Sequence, residues 1–201
     1  TTLTCHTNNL TSLDVSQNTA LIVLECGDNQ LTSLDVSQNT ALTRLTCHAN
    51  NLTTLDVSQN TALFELLCTN NQLTSLDVSQ NTALTRLLCF SNPLTSLDVR
   101  NGNNTNMLSG TWNTWQNDFM ATNNPNLYCI DVDDVAWADT NWTVANGNID
   151  STMSFSTNCA TAFGCLDPLA CNYDSIATIS DGSCNYPTSN STTQTSCDSY
   201  T

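Results

Sequence analysis

Basic residues are almost absent from this sequence, which has no lysine and only three arginines among 201 residues, with a formal net charge of −15. Nucleic acids and anionic membranes attract proteins through many lysine and arginine side chains. Binding to either partner is therefore not expected. The sequence also has no run of eighteen apolar residues and no basic amphipathic stretch, so membrane insertion is not expected either.

Catalytic groups are equally scarce. The chain has two histidines and two glutamates, and it has no nucleophile motif and no zinc-binding triad. We therefore expect a protein that is not an enzyme and that requires no cofactor.

One unit of 21 residues is repeated five times over residues 1–100 without insertion. The tripeptide Leu-Asp-Val begins at Leu13, Leu34, Leu55, Leu76 and Leu97. A cysteine recurs at Cys5, Cys26, Cys47, Cys68 and Cys89, and an asparagine at Asn8, Asn29, Asn50, Asn71 and Asn92. A constant period means that each unit stacks on the previous one in register, which predicts a solenoid.

The unit has the pattern of a leucine-rich repeat with cysteine in place of the central leucine. Residues 21–41 read Leu-x-x-Leu-x-Cys-x-x-Asn-x-Leu-x-x-Leu-Asp-Val-Ser-x-Asn-x-Ala. The alternation in Leu24-Glu25-Cys26 predicts a short strand, and stacked strands lie roughly 4.8 Å apart in a parallel sheet. Thr32 to Val36 is expected to be a second extended segment on the opposite face, and Asn29 is expected to turn inward onto loop backbone groups.

The row of repeat cysteines (the cysteine ladder) permits two interpretations. His6 and His48 directly follow ladder cysteines, which would suit a metal or redox site. In a strand, however, the cysteine faces the core while the next residue faces outward. We therefore expect buried, reduced thiols that act as small hydrophobic groups.

The outward columns of the predicted sheet contain the candidate binding residues. One column places Glu65 between Arg44 and Arg86 at strand spacing. The neighbouring columns predict an exposed apolar patch formed by Leu67, Leu88 and Phe90. Exposed patches on repeat sheets often mark partner sites. The alternative is that the segment after the repeats covers this patch.

On the other face, the Leu-Asp-Val motif produces a row of aspartates (the aspartate row): Asp14, Asp35, Asp56, Asp77 and Asp98. Neighbouring like charges repel, so each aspartate is expected to have a local partner. Ser16 and its equivalents, two residues later, suit Asx turns. Cation binding along the row is the alternative.

The region after the repeats predicts three further segments. All four tryptophans fall in residues 101–160, which are expected to form an aromatic C-terminal cap closed by a Cys129–Cys159 bridge. Residues 161–186 are expected to form a small module that disulfides hold together, because so few residues bury little core. Residues 187–201 are expected to be a Ser/Thr linker and the start of a further, truncated module.

Six cysteines outside the repeats are expected to form disulfides, with the pairing of the last four left open: Cys129, Cys159, Cys165, Cys171, Cys184 and Cys197. Disulfides indicate an oxidising compartment, so we expect an extracellular protein. Four residues of the small module offer oxygen ligands for a possible calcium ion: Asp167, Asn172, Asp174 and Asp181. Their spacing does not match the Asp-x-Asp-x-Asp-Gly loop.

The repeats resemble the cysteine-ladder leucine-rich repeats of the internalin family and of bacterial surface proteins secreted by the type IX route. The resemblance rests on Leu-x-Cys-x-x-Asn-x-Leu-x-x-Leu-Asp-Val-Ser and covers residues 1–100. Residues 124–159 resemble the cap of the same proteins. Residues 164–184 resemble the Gly-Cys-x-Asp-Pro-x-Ala-Cys-Asn-Tyr-Asp modules of large adhesins. The resemblance implies adhesion or display at the bacterial cell surface.

Two functional hypotheses follow. The first is a non-enzymatic adhesion module that binds a protein or glycan through the repeat sheet. The second is a subunit of an extracellular fibre, because the sequence begins within a repeat and the resembling proteins have an N-terminal cap. Head-to-tail stacking would then join Leu3 and Leu10 to an aromatic surface at Trp112 and Trp115 on the next subunit. Truncation of a longer protein explains the same beginning.

Overall fold

The structure is a computed structural model that describes residues 1–108 and 118–186. The chain divides into two compact units, Thr1–Thr157 and Asn158–Thr201. Within its described residues the first unit contains ten short strands. In chain order they are β1 (Thr2–Thr4), β2 (Val23–Glu25), β3 (Arg44–Thr46), β4 (Glu65–Leu67), β5 (Ser75–Asp77), β6 (Arg86–Leu88), β7 (Ser96–Asp98), β8 (Phe119–Met120), β9 (Cys129–Asp131) and β10 (Ser154–Ser156).

These strands form two parallel sheets. The first sheet has the order β1-β2-β3-β4-β6-β8, and the second has the order β10-β9-β7-β5. In the first sheet Leu24 pairs with Leu45, and Leu45 pairs with Leu66, so equivalent residues of successive repeats are in register. The prediction of a parallel β-solenoid with 21-residue leucine-rich repeats is confirmed.

The second sheet is less extensive than the predicted set of extended segments. Its repeat strands are β5 and β7, which pair with each other, and β7 also pairs with β9. Thr32 to Val36 does not form a strand. The chain on this side of the second repeat is instead tied to its neighbour at single points, such as the bond from the Gln30 N–H to the Leu10 carbonyl (2.8 Å).

The core consists of columns of equivalent side chains. Leu24, Leu45, Leu66 and Leu87 are each fully buried, as are Cys26 and its three following equivalents. Full burial of an aliphatic side chain stabilises the fold by about 1.5–3 kcal/mol, so the stacked columns supply most of the stability of the array. The inward orientation expected for the cysteines is confirmed.

A ladder of asparagines holds the turn that follows each strand of the first sheet. The Asn50 amide donates to the carbonyls of Cys26, Cys47 and His48 at 3.1–3.2 Å, and its Oδ1 accepts from the Leu31 N–H at 2.9 Å. The residue before it, Ala49, has a left-handed φ of 50°. This conformation is unfavourable for alanine, and the asparagine bonds stabilise it. The inward asparagine predicted from the repeat is confirmed.

A second asparagine ladder lies on the other side of the coil, and the sequence reasoning missed it. The Asn60 amide donates to the carbonyls of Val36 and Asn39, at 3.1 and 2.9 Å. Asn39 and Asn81 make the equivalent bonds in the neighbouring repeats. All three side chains are fully buried. The Ser-x-Asn-x-Ala part of the repeat therefore also has a structural role, since it ties each turn to the preceding one.

Residues 119–132 add one more turn to the solenoid, although the residues before them break the 21-residue period. Leu88 pairs with Met120 in the first sheet, and Asp98 pairs with Asp131 in the second. Asn124 occupies the next position in the first asparagine ladder, donating to the Ala121 carbonyl at 2.7 Å. Residues 119–132 therefore form a complete turn, which belongs to the same compact unit as the five regular repeats.

An aromatic cluster covers the core beyond this turn. Trp142 follows helix α1 (Val135–Asn141) and is fully buried. Its ring stacks on Phe119 at 3.9 Å and meets Trp137 edge-on at 5.4 Å, while its indole N–H donates to the Met107 carbonyl at 2.8 Å. The Asp134 carboxylate accepts a bond from the Trp137 N–H and caps the helix. The aromatic cap predicted for this region is present.

The second unit is small and cross-linked. It contains helix α2 (Cys159–Ala162) and strands β11 (Phe163–Gly164) and β12 (Ile179–Ser180), which pair in parallel. A disulfide joins Cys165 to Cys184. In the described parts of both units, no helix is long and apolar enough to cross a membrane.

Candidate functional site

The outer face of the first sheet brings together the three predicted charged residues. Arg44, Glu65 and Arg86 lie on adjacent strands in direct register. The Arg44 Nε is 2.5 Å from Glu65 Oε2, and the Arg86 Nη1 is 2.9 Å from Glu65 Oε1. Glu65 is only 4% exposed. Both of its carboxylate oxygens are therefore engaged by arginines, so this residue positions the arginines and is not open to a ligand.

The prediction of an exposed apolar patch is wrong for Leu88, which is 1% exposed. The physical reason is that β8 continues the sheet past β6, so Leu88 has Leu67 on one side and Met120 on the other. Leu67 and Phe90 are half-buried. Apolar side chains exposed on this side of the coil lie elsewhere, at Ile22 and Phe64, just before strands β2 and β4.

A polar groove of about 360 Å³ opens on the same face, toward the C-terminal ends of β1, β2 and β3. We call it the His–carboxylate groove. Its walls are formed by His6, Thr7, Glu25, Asp28, Thr46 and His48. Sequence reasoning had assigned the two histidines to the outward column but had not combined them with the carboxylates.

Gly27 determines the shape of this groove. The His48 ring lies against the Gly27 α-carbon, and a Cβ at that position would come within 2.4 Å of the ring. The His48 Nε2 is 3.2 Å from Asp28 Oδ2, and the His48 Nδ1 is buried without a hydrogen-bond partner. Glycine is therefore needed here, because any side chain at this position would collide with the imidazole.

The carboxylates of the groove are only partly engaged. The Glu25 Oε2 accepts from the Thr4 hydroxyl at 3.0 Å, and its Oε1 is 3.9 Å from the Arg44 Nη1. The Asp28 side chain is 52% exposed and faces His48. The two carboxylates thus differ from Glu65, since they keep acceptor capacity that faces solvent.

Alternate repeats carry similar outward residues, which is a signal that the sequence reasoning did not use. His6 and His48 are two repeats apart, and so are Thr4 and Thr46. The same alternation places a glutamine of one repeat beside an asparagine of the preceding repeat. The Gln30 amide donates to Asn9, and the Gln72 amide donates to Asn51, at 3.3 and 3.2 Å. Comparison of every second repeat would have indicated that neighbouring turns interlock in pairs.

The third arginine, Arg100, lies two residues after strand β7 of the second sheet. Arg100 is 2.5 Å from Asp98 Oδ2 and 3.7 Å from Asp131 Oδ1. Hydrogen bonding to Asp98 raises the pKa of Arg100. All three arginines of the chain are therefore held by carboxylates, and the chain has no lysine.

The aspartate row forms the expected local turns. The Asp14 and Asp35 carboxylates accept bonds at 2.9 Å from the N–H groups of Ser16 and Ser37. These bonds lower the pKa of both aspartates. Asp56 and Asp77 form the same turns, and Asp98 accepts from the Arg100 N–H. The Asx-turn interpretation is confirmed.

The cysteine ladder is unsuited to metal or redox chemistry. Cys26, Cys47, Cys68 and Cys89 are buried and free, and Cys5 is free and half-buried. Burial raises the pKa of the Cys26 and Cys89 thiols to about 12. A thiol held in its protonated form is a poor nucleophile and a poor metal ligand.

The proposed calcium ligands do not converge in the structure. The carboxylates of Asp167, Asp174 and Asp181 each accept a bond from the N–H two residues later. Asn172 bonds Ser183 and Asn185. In residues 1–108 and 118–186, no three His, Cys, Asp or Glu side chains lie close enough to share a metal ion. The four residues make local hydrogen bonds in the structure, and calcium binding by them stays a prediction.

The predicted disulfide residues are bonded wherever they are described. Cys129, Cys159 and Cys171 are each in a disulfide, in addition to the Cys165–Cys184 pair. Cys197 lies outside the described residues. The bridge between Cys129 and Cys159 stays a prediction.

The residues of the assembly hypothesis are described in part. Leu3 and Leu10 are half-buried and pack against the core. Trp112 and Trp115 lie outside the described residues. Head-to-tail assembly therefore stays a prediction, which light scattering on the unmutated chain would test.

Taken together, the sheets and columns define a leucine-rich repeat solenoid with a buried cysteine ladder. No protein-family model matches the chain, and no curated protein matches it. Among solved structures, the chain is similar to the functional domain of InlJ from Listeria monocytogenes, which includes a cysteine ladder. The sequence identity is 34% and the TM-score is 0.49. The match covers 65% of this chain and 35% of that one, so the chain corresponds to only part of that protein.

Proposed function

We propose that the chain is a non-enzymatic, extracellular adhesion module that binds a protein or glycan through the outer face of the first sheet. The observation that carries this proposal is the array of polar and charged side chains on that face, fixed by contacts between adjacent strands. Arg44, Glu25 and Thr4 form one such series of contacts. Side chains held on rigid strands bind with little loss of conformational entropy.

Two features support binding over catalysis. The His48 Nε2 faces Asp28, and its Nδ1 is buried against Gly27, so neither nitrogen is open to a substrate. Four of the five ladder thiols, Cys26, Cys47, Cys68 and Cys89, are buried with raised pKa values, so they are poor nucleophiles. His48 and these four cysteines therefore have structural roles in the array.

The disulfides support the extracellular assignment. At least five cysteines of the cap and the small unit are disulfide-bonded. Such bonds persist in secreted and surface proteins and are rare in reducing compartments.

The proposal can be tested with matched substitutions on opposite faces. The labelled chain would be applied to a glycan array and to immobilised collagen and fibronectin. Thr46→Arg adds a long charged side chain at the centre of the first sheet. Thr53→Arg adds the same group at an exposed position on the other face. We expect binding by the unmutated chain and by Thr53→Arg, and loss of binding by Thr46→Arg.

The opposite pattern would contradict the proposal. Equal binding by Thr46→Arg and the unmutated chain would exclude the first sheet as the binding face. Turnover of an array glycan or cleavage of an immobilised protein would exclude a non-enzymatic role. Circular dichroism spectra of both variants would establish that each retains the solenoid.

A further inference from the structure

The His–carboxylate groove contains two carboxylates and two imidazoles, and it has no lysine or arginine side chain of its own. Glu25 and Asp28 supply the carboxylates, and Thr46 supplies a hydroxyl. The arginine beside the groove is Arg44, whose Nη1 is 3.9 Å from Glu25 and whose Nε is bound to Glu65. Asp28 faces only an imidazole. The negative charge of the groove is therefore incompletely compensated.

We propose that this groove receives a lysine or arginine side chain from a basic segment of a protein partner. The proposal rests on the adhesion function above and specifies that the bound segment of the partner protein is basic. An ammonium or guanidinium group carries several donors, which two carboxylates and a hydroxyl can accept together. Complementary charge also raises the rate of encounter, and the chain's net charge of −15 attracts basic partners from any direction.

The shape of the groove supports a side chain as the occupant. Gly27 leaves room for the His48 ring, and this ring forms one wall against which the aliphatic part of a lysine or arginine can pack. A bare divalent ion is less suited, because no three His, Cys, Asp or Glu side chains converge in the described residues. An anionic group is disfavoured by Glu25 and Asp28.

The test uses the full chain and a fluorescein-labelled tetralysine peptide, with fluorescence anisotropy as the measurement. The groove variant is Glu25→Gln with Asp28→Asn. The matched control is Asp35→Asn with Asp56→Asn, which removes the same charge from the aspartate row. Asparagine keeps the Oδ1 acceptor of each Asx turn, so the control retains its local structure.

We expect roughly tenfold weaker tetralysine binding by the groove variant, because two partly exposed ion pairs are lost. The control keeps Glu25 and Asp28, so it should bind within about twofold of the unmutated chain. Both variants lose the same net charge, so a reduction in long-range attraction affects them equally. A peptide with all four lysines acetylated should bind none of the proteins. Equal losses in the groove variant and the control would overturn the proposal, because general attraction would then explain the binding.

A third variant separates shape from charge. Gly27→Ala changes no charge but displaces the His48 ring, since the new Cβ would lie 2.4 Å from it. We expect this variant to lose affinity for tetralysine while retaining its fold by circular dichroism. Unchanged affinity would show that the peptide binds elsewhere. If tetralysine fails but Thr46→Arg still abolishes binding on the arrays, the cationic partner is refuted and the adhesion function stands.

Discussion

The first asparagine ladder makes a strong energetic prediction at Asn50. This side chain is 7% exposed and joins two turns of the coil. Its Oδ1 satisfies the Leu31 N–H of the preceding turn, and its amide satisfies the carbonyls of Cys26 and Cys47. Asn50→Ala would leave the Leu31 N–H buried without a partner, while the Cys26 and Cys47 carbonyls would each keep one bond, from Asn29 and Asn71 respectively.

The expected cost follows from the number of groups left unsatisfied. A buried donor without a partner costs about 1–3 kcal/mol, and the Leu31 N–H is the group that loses its partner, so Asn50→Ala should cost about 1–3 kcal/mol. For a chain of this length, 1 kcal/mol corresponds to roughly 2–4 °C in the unfolding midpoint. Asn50→Ala should therefore lower the midpoint by roughly 2–12 °C.

The chain provides its own control at Asn8, the same position in the first repeat. Asn8 is exposed and donates only to the Cys5 and His6 carbonyls. Asn8→Ala should cost less than about 1 kcal/mol, since water replaces the lost bonds. Thermal and denaturant unfolding by circular dichroism would measure both variants. A difference between them below about 0.5 kcal/mol would refute the assigned role of the ladder.

Three further predictions concern chemistry. In native buffer at pH 8, iodoacetamide should leave Cys47 unmodified, because burial raises its pKa well above 9.0, while half-buried Cys5 reacts first. Stability should fall as the pH drops below 3.8, because the lowered pKa of groups such as Asp35 contributes stability that is fully present above the unfolded-state pKa of 3.8 and is lost as the pH falls through the lower folded-state pKa. Non-reducing peptide mapping should recover a Cys129–Cys159 peptide, and loss of that bridge should cost about 2–5 kcal/mol.

A specific experimental result would contradict each of these three predictions. Mass mapping that finds Cys47 labelled as fast as Cys5 would place the ladder outside the core. An Asp35→Asn variant should lose part of the acid dependence while keeping its turn, so an unchanged profile would reject the linkage. A peptide joining Cys129 to any ladder cysteine would exclude the predicted bridge.

Much of the repeat architecture could be predicted because the period is constant. When every unit has the same length, the register of Leu24 on Leu45 leaves no alternative, and the alternation of Leu24, Glu25 and Cys26 assigns each side chain to a face. The inward asparagine followed from the need to satisfy the backbone of a buried turn. Local pattern and stacking agree at these positions, so the sequence alone determined them.

The tertiary structure decided the features that depend on which side chains meet across turns. Glu65 is closed to ligands because two arginines from neighbouring strands reach the same carboxylate. Leu88 is buried because β8 adds a strand to the first sheet after the 21-residue period is broken. This strand was not predicted from the sequence. Two further features depend on how distant segments fold together. They are the disulfide between Cys165 and Cys184 and the close contact of the His48 ring with Gly27. The repeat period determines where each side chain lies in the coil. Whether that side chain can contact a partner depends on residues of neighbouring strands, and the period does not determine their identity.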